Sequence, residues 1–180
     1  IRVEGSTLIL ATGTGLSLVG GDISIGIDPQ SGTSASISAP SGHIDLVSVA
    51  SPGEILYPSL ERAPNINRQS FTAMGNITLS DFASVDVSGS LDPGDGHGGA
   101  IHIRGGQLVM DNFSFLTTAT QGEVAGDTPG VSVFVDGTVT LGHISGIVTG
   151  TGSGAGRGGD VEIVATNVEI ADGSFILTAS

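Results

Sequence analysis

The sequence predicts an all-β chain coiled as a parallel β-helix, a β-solenoid of about six turns of about 30 residues each, and three observations carry that prediction. Ile77–Gly89, Leu108–Thr120, Val139–Thr151 and Val168–Ser180 superimpose with almost no shift, their starts 31, 31 and 29 residues apart. Within each segment an alternating apolar pair (Ile77/Leu79, Leu108/Met110, Val139/Leu141, Val168/Ile170) follows a small or turn-forming residue and precedes Asp81, Asn112, His143 or Asp172 by two positions. A second alternating pair recurs at Ile101/Ile103, Val131/Val133 and Val161/Ile163. The third observation is composition. With 30 glycines, abundant Ser, Thr, Val and Ile and only 4 % aromatics, the chain suits stacked side-chain ladders with glycine corners. Disorder would lack this ordered alternation.

Taken in order, residues 1–56 form less regular turns, with alternation at Leu8/Leu10, Leu16/Leu18, Ile23/Ile25 and Ile44/Leu46 and Gly or Pro between short strands. Residues 57–74 break the pattern with Pro58, Pro64, Arg62, Asn65, Asn67 and Arg68, and read as a loop leaving the coil. Residues 75–180 are regular turns. In them Asp81, Asn112, His143 and Asp172 mark a corner that needs left-handed backbone, which these residue types tolerate. The Gly-rich connections Asp92–Gly99, Gly122–Gly130 and Gly150–Gly159 fall at another single corner. One extra residue between Val133 and Val139, relative to the neighbouring turns, predicts a bulge around Phe134–Asp136. Phe113, Phe115 and Phe175 are expected on the second face, with Phe115 and Phe175 in contact if Gly146 leaves room between them. A lone turn is not expected to fold, because stacked neighbours supply the other half of every ladder.

Charge and composition exclude several functions. Eighteen acidic residues against five arginines and no lysine give a net charge of −13, so nucleic acid is excluded as a partner for want of clustered cations. Cysteine is absent, so there is no disulfide framework. No run of about 18 apolar residues predicts membrane insertion, and no basic-then-apolar leader opens the chain. The chain opens in a strand-like stretch and stops inside a repeat, as if cut from something longer. With no helix to cap the coil, end-to-end self-association or continuation as a fibre is expected.

Each cluster of chemically able residues has a structural reading beside its functional one. Asp92-Pro93-Gly94-Asp95-Gly96-His97 is the most calcium-like loop but supplies too few oxygens and reads as a solvated turn. His97 and His102 make at most a metal pair, and His43 and His143 are isolated; all four are expected as exposed polar positions, with no metal and no cofactor. Asp45, Asp86, Glu162 and Glu169 sit outward by alternation, and Arg104 and Arg157 fall at corners, which leaves no convergent acid–base pair and no catalytic residue. Gly156-Arg157-Gly158-Gly159-Asp160 reads as a loop. Thr118/Thr149/Thr178 has the hydroxyl spacing of an ice-binding ladder and reads as outward strand polarity. Recognition is placed on the excursion, at Arg62, Asn65, Asn67 and Arg68.

The stretches LILATGTGLSLVGGDISI (Leu8–Ile25) and ISAPSGHIDLVSVASPGEI (Ile37–Ile55) resemble the haemagglutination-activity region of filamentous haemagglutinin-like exoproteins of the two-partner secretion route, and the repeats after Gly75 are similar in style to cyanobacterial members. The resemblance implies a right-handed parallel β-helix, export through an outer-membrane β-barrel transporter, and a secreted, extracellular location on the surface of a Gram-negative-type bacterium. The Asn-Pro-Asn-type motif by which such proteins engage the transporter is not present in this chain. The expected function is a non-enzymatic structural and adhesive segment, a rigid rod displaying loops toward a cell-surface or matrix ligand that the sequence does not name. The alternatives are a self-assembling extracellular fibre and a carbohydrate-active β-helix enzyme of polysaccharide lyase or hydrolase type.

Overall fold

The computed structural model describes residues 1–56, 65–66, 70–90, 96–121, 130–152 and 157–179. Of nineteen strands among the described residues, seventeen wind around one axis in three parallel sheets. Sheet A holds β1 (Arg2–Glu4), β4 (Ile23–Gly26), β9 (Asn76–Leu79), β12 (Gln107–Met110), β15 (Thr138–Leu141) and β18 (Asn167–Ile170). Sheet B holds β2 (Thr7–Ile9), β5 (Ser36–Ser38), β10 (Ser84–Asp86), β13 (Phe115–Thr120), β16 (Gly146–Thr151) and β19 (Phe175–Thr178). Sheet C holds β3 (Gly15–Gly20), β6 (His43–Ser48), β11 (Ala100–Gly105), β14 (Gly130–Val135) and β17 (Val161–Val164). The chain thus makes five complete turns and two strands of a sixth, as the repeat period predicts.

Alternation explains the interior. In sheet A the inward ladders run Ile23–Ile77–Leu108–Val139–Val168 and Val3–Ile25–Leu79–Met110–Leu141–Ile170. Sheet B contributes Leu8–Ile37–Val85–Leu116–Ile147–Ile176. Sheet C contributes Leu16–Ile44–Ile101–Val131–Val161 and Leu18–Leu46–Ile103–Val133–Ile163. The middle members of these ladders are fully buried, and each contributes roughly 1.5–3 kcal/mol by leaving water.

Several expectations change once the turns are stacked. Thr118 and Thr149 pair in one column with Thr178, but they face inward and are 1 % and 0 % exposed, so the expected outward hydroxyl ladder is an interior one. It continues the column of Leu10, Ala39 and Val87, two residues after the inward Leu116 and Ile147, so alternation itself carries these hydroxyls to the interior. Thr118 Oγ1 donates to Gly99 O (3.0 Å), whereas buried Thr149 Oγ1 has no partner among the described residues. Thr149→Val keeps the shape and removes the orphaned hydroxyl, and is expected to raise stability by about 1 kcal/mol in a urea titration. The extra residue after Val133 is Asp136, at the corner: β14 pairs one-to-one with β11 through Val135, and Asp136 N and Gly137 N then bond Gly105 O and Gly106 O. The strand itself has no bulge. Arg104 lies within β11 and not at a corner, while Phe113 sits at a corner and not on the second face. Phe115 and Phe175 do meet, with centroids 6.2 Å apart over Gly146.

The excursion is a built appendage at its base. Val49 bridges Met74 in antiparallel fashion, Ala50 N bonds Ala73 O (3.0 Å), and Thr72 N bonds Ser51 Oγ (2.9 Å). Beyond this stem, β7 (Ile55–Leu56) pairs antiparallel with β8 (Asn65–Ile66). The coil therefore exits near Val49, earlier than the break in sequence pattern at Tyr57.

Candidate functional site

The corner between sheets A and B carries the most regular chemistry. Ser80–Ala83, Asp111–Ser114, Gly142–Ser145 and Ala171–Ser174 each reverse the chain in four residues, and their two central residues both have positive φ. The first central residues are those the sequence marked: Asp81 (55°), Asn112 (52°), His143 (47°) and Asp172 (51°). The second are Phe82 (63°), Phe113 (60°), Ile144 (62°) and Gly173 (77°). The sequence gives no sign of this second column, because bulky apolar residues are poor candidates for left-handed backbone. Backbone bonds from Phe82 N to Asn112 O, Phe113 N to His143 O and Ile144 N to Asp172 O carry the ladder around the bend.

The side chains form two parallel stripes. In the polar one, Asn112 Nδ2 donates to Asp81 Oδ1 (2.6 Å), and His143 lies with Nδ1 2.7 Å from Asp111 Oδ1 and Nε2 3.9 Å from Asp172 Oδ2. The hydrogen bond and charge of Asp111, with the charge of Asp172, hold the His143 imidazole above its usual pKa. In the apolar stripe the Phe82 and Phe113 rings stack with centroids 5.1 Å apart and planes 5° apart, and Ile144 follows them. Since the folded pKa of His143 is raised, its contribution to stability is full below the unfolded pKa near 6.5 and is lost as pH rises through the folded value. Amide exchange at β18 and β19, corrected for intrinsic pH dependence, is therefore expected to quicken as pH rises through that value. In His143→Ala the pH-dependent part should vanish.

The outer face of sheet C holds the second cluster. Ser17, Asp45, His102, Ser132 and Glu162 stand in one column across five turns, with His43 two residues before Asp45 and Arg104 two after His102. Asp45 faces outward as expected but is 0 % exposed. Ser17 Oγ donates to its Oδ2 (2.6 Å), and His43 Nε2 lies 3.9 Å from the same oxygen. Asp45 Oδ1 and His102 Nδ1 are buried without a partner among the described residues. Burial lowers the pKa of His102, opposed by Asp45 and reinforced by Arg104 and His43. Arg104 is itself half-buried, its guanidinium 3.9 Å above the Phe134 ring and bonded to Ile103 O and Ser132 O. Of the four histidines only His143 is exposed; His43, His97 and His102 are half-buried, His43 and His102 because neighbouring turns flank strand positions that alternation alone leaves open.

This column brings charged groups together but keeps its two carboxylates far apart. Asp45 and Glu162 are three strands apart, about 14 Å at a spacing of about 4.8 Å, whereas paired carboxylates in glycoside hydrolysis stand ~5–9.5 Å apart. Glu162 and Asp160 line an open cleft of about 600 Å³ with Ser132 and Thr178. Among the described residues no group of three or more His, Cys, Asp or Glu is placed to hold a metal ion, and no helix is long and apolar enough to cross a membrane.

Of the residues expected to recognise a ligand, Asn65 lies in β8 opposite Leu56, while Arg62, Asn67 and Arg68 lie outside the described residues. So do Asp92–Asp95 of the calcium-like loop, residues 122–129, and residues 153–156 ahead of Arg157. The chain matches no family model, no curated protein and no solved structure.

Proposed function

We propose that this chain is a non-catalytic structural and adhesive segment of a secreted cell-surface exoprotein, a stiff β-helical rod that presents side features to a ligand. The observation that carries the reading is the way the excursion is spliced out of the coil. Ile23 pairs Ile77 and Ile25 pairs Leu79 without loss of register, and Gly75 N bonds Ser48 O at 3.1 Å, so the two ends of the excursion almost touch. A rod that bears an appendage without disturbing its own ladders is suited to display. The wide separation of Asp45 and Glu162 also favours display over glycoside hydrolysis. The likeness of Leu8–Ile25 and Ile37–Ile55 to two-partner exoproteins supports export through an outer-membrane β-barrel transporter to the surface of a Gram-negative-type cell.

The test removes Val49–Met74 and joins Ser48 to Gly75, which recreates the Gly105–Gly106 step of the following turn. The deletion variant is expected to keep its strand spectrum, rod length and melting behaviour. Beads coated with the parent chain are expected to bind cell surfaces, and a panel of polysaccharides to remain uncleaved. Collapse of the deletion variant would make the excursion part of the fold. New reducing ends or unsaturated products would replace the adhesive reading with an enzymatic one.

A further inference from the structure

We propose that the corner between sheets A and B is a docking strip for a cationic, apolar-flanked peptide segment of a partner protein. Phe82, Phe113 and Ile144 take its apolar side chains, and Asp81, Asp111 and Asp172 take its Lys or Arg groups. The inference rests on the reading of the chain as a display rod and names a surface that does the displaying.

Exposure is the first argument. Phe82, Phe113 and Ile144 occupy one column in three consecutive turns and are 58 %, 37 % and 45 % exposed. A row of large apolar groups in water, bordered by polar ones, is the composition of an interaction surface. The backbone supplies the second argument. All three residues are held near φ +60°, where an L-residue costs roughly 1–2 kcal/mol relative to glycine. Gly173 occupies the same place in the next turn, so the corner closes without a side chain there. The Phe82–Phe113 stack returns part of that cost, but Ile144 is β-branched and stacks on no ring. Stability alone would place glycine in all four turns.

Charge selects the occupant. None of the four corners contains Lys or Arg, and Asp81, Asp111 and Asp172 border the apolar stripe. On the preceding turn the same corner is enlarged and carries Asp28, whose carboxylate is kept ionised by hydrogen bonds from Gln30 N (2.9 Å) and Ser31 Oγ (2.7 Å). His143 is already engaged between Asp111 and Asp172. A guanidinium fits this strip twice over, against the ring face of Phe82 turned away from Phe113 and against the neighbouring carboxylates. The net charge of −13 draws such a partner in from a distance.

The test uses two labelled octapeptides, alternating Arg/Leu and alternating Glu/Leu, titrated by fluorescence anisotropy against the whole chain and two variants. One variant is Phe82→Gly with Phe113→Gly and Ile144→Gly; the other is Asp81→Asn with Asp111→Asn and Asp172→Asn. The parent is expected to bind the Arg/Leu peptide, more weakly as salt rises, and not the Glu/Leu peptide. Each variant is expected to bind about tenfold more weakly or worse. The glycine variant should melt no lower than the parent, since it relieves strain. Equal affinity in either variant overturns the proposal, because an acidic chain would then be attracting the peptide nonspecifically. A glycine variant that loses its structure also overturns it, since the side chains would then serve the fold. Two further results would do the same: corner resonances shifted by neutral oligosaccharides but not by the peptide, and a parent dimer that buries the corner. Through all of these the rod reading stands as long as rod length and the absence of polysaccharide products hold.

Discussion

Gly99→Ala is expected to destabilise the chain by roughly 3 kcal/mol or more. A Cβ at this position would collide with the carbonyl oxygen of Gly42 in the turn below and approach its carbonyl carbon and nitrogen at 2.9 and 3.0 Å. Every colliding atom is backbone, so no rotamer change can relieve the overlap. The same backbone makes the inter-turn bond Ala100 N to Gly42 O (3.0 Å), while Gly99 N bonds Val87 O (2.7 Å) within its own turn. Separating the turns to admit a methyl group would break the bond to Gly42. Gly42 meets the same limit against Thr14 O in the same column, and Gly130, one position along, against Asp160 O, so at the entry to sheet C successive turns touch through backbone. Gly21, with nothing within 4 Å of its ideal Cβ, is the control. Gly21→Ala should stay within about 0.5 kcal/mol of the parent in urea unfolding. Equal midpoints for the two variants would refute the steric column.

Leu108→Ala is expected to cost about 2–5 kcal/mol and to loosen the turns on both sides of it. Leu108 is fully buried at the centre of the Ile23–Ile77–Leu108–Val139–Val168 ladder, where neighbours above and below prevent the cavity from collapsing. A solenoid's stability is a sum over neighbouring turns, so the loss should spread to β9 and β15 before reaching β1. Hydrogen exchange would show it as quickened amides at Ile77, Leu79, Val139 and Leu141. Val168→Ala in the same ladder is 48 % exposed at the start and should cost less than about 1 kcal/mol. A uniform loss of protection along the whole rod would show that the turns unfold as one unit rather than by neighbours.

Much of the rod was legible because its construction is periodic. Ile77/Leu79 and their repeats gave sheet A, Ile101/Ile103 and theirs gave sheet C, and the corner residues Asp81, Asn112, His143 and Asp172 announced left-handed backbone by type. The contact of Phe115 with Phe175 across Gly146 also followed from position alone. The candidate surfaces were far less visible. Phe82, Phe113 and Ile144 have no turn propensity, and their left-handed conformation comes from closing each corner against the next through bonds such as Phe82 N to Asn112 O. Thr118 and Thr149 looked outward because hydroxyl side chains suggest a solvent face, although alternation from Leu116 and Ile147 places them inside. Asp45 looked solvated because nothing near it in sequence reveals that Ser17 and His102 flank it from the neighbouring turns.

The sequence by itself determined the period and the apolar ladders of sheets A and C, since alternation and repeat length are local properties that every turn restates. Only the tertiary structure decided which outward groups are buried, which corners carry exposed rings and where the excursion leaves the coil. Those properties depend on residues about one turn apart being brought one strand spacing apart, and one segment of sequence does not contain its neighbours in the stack.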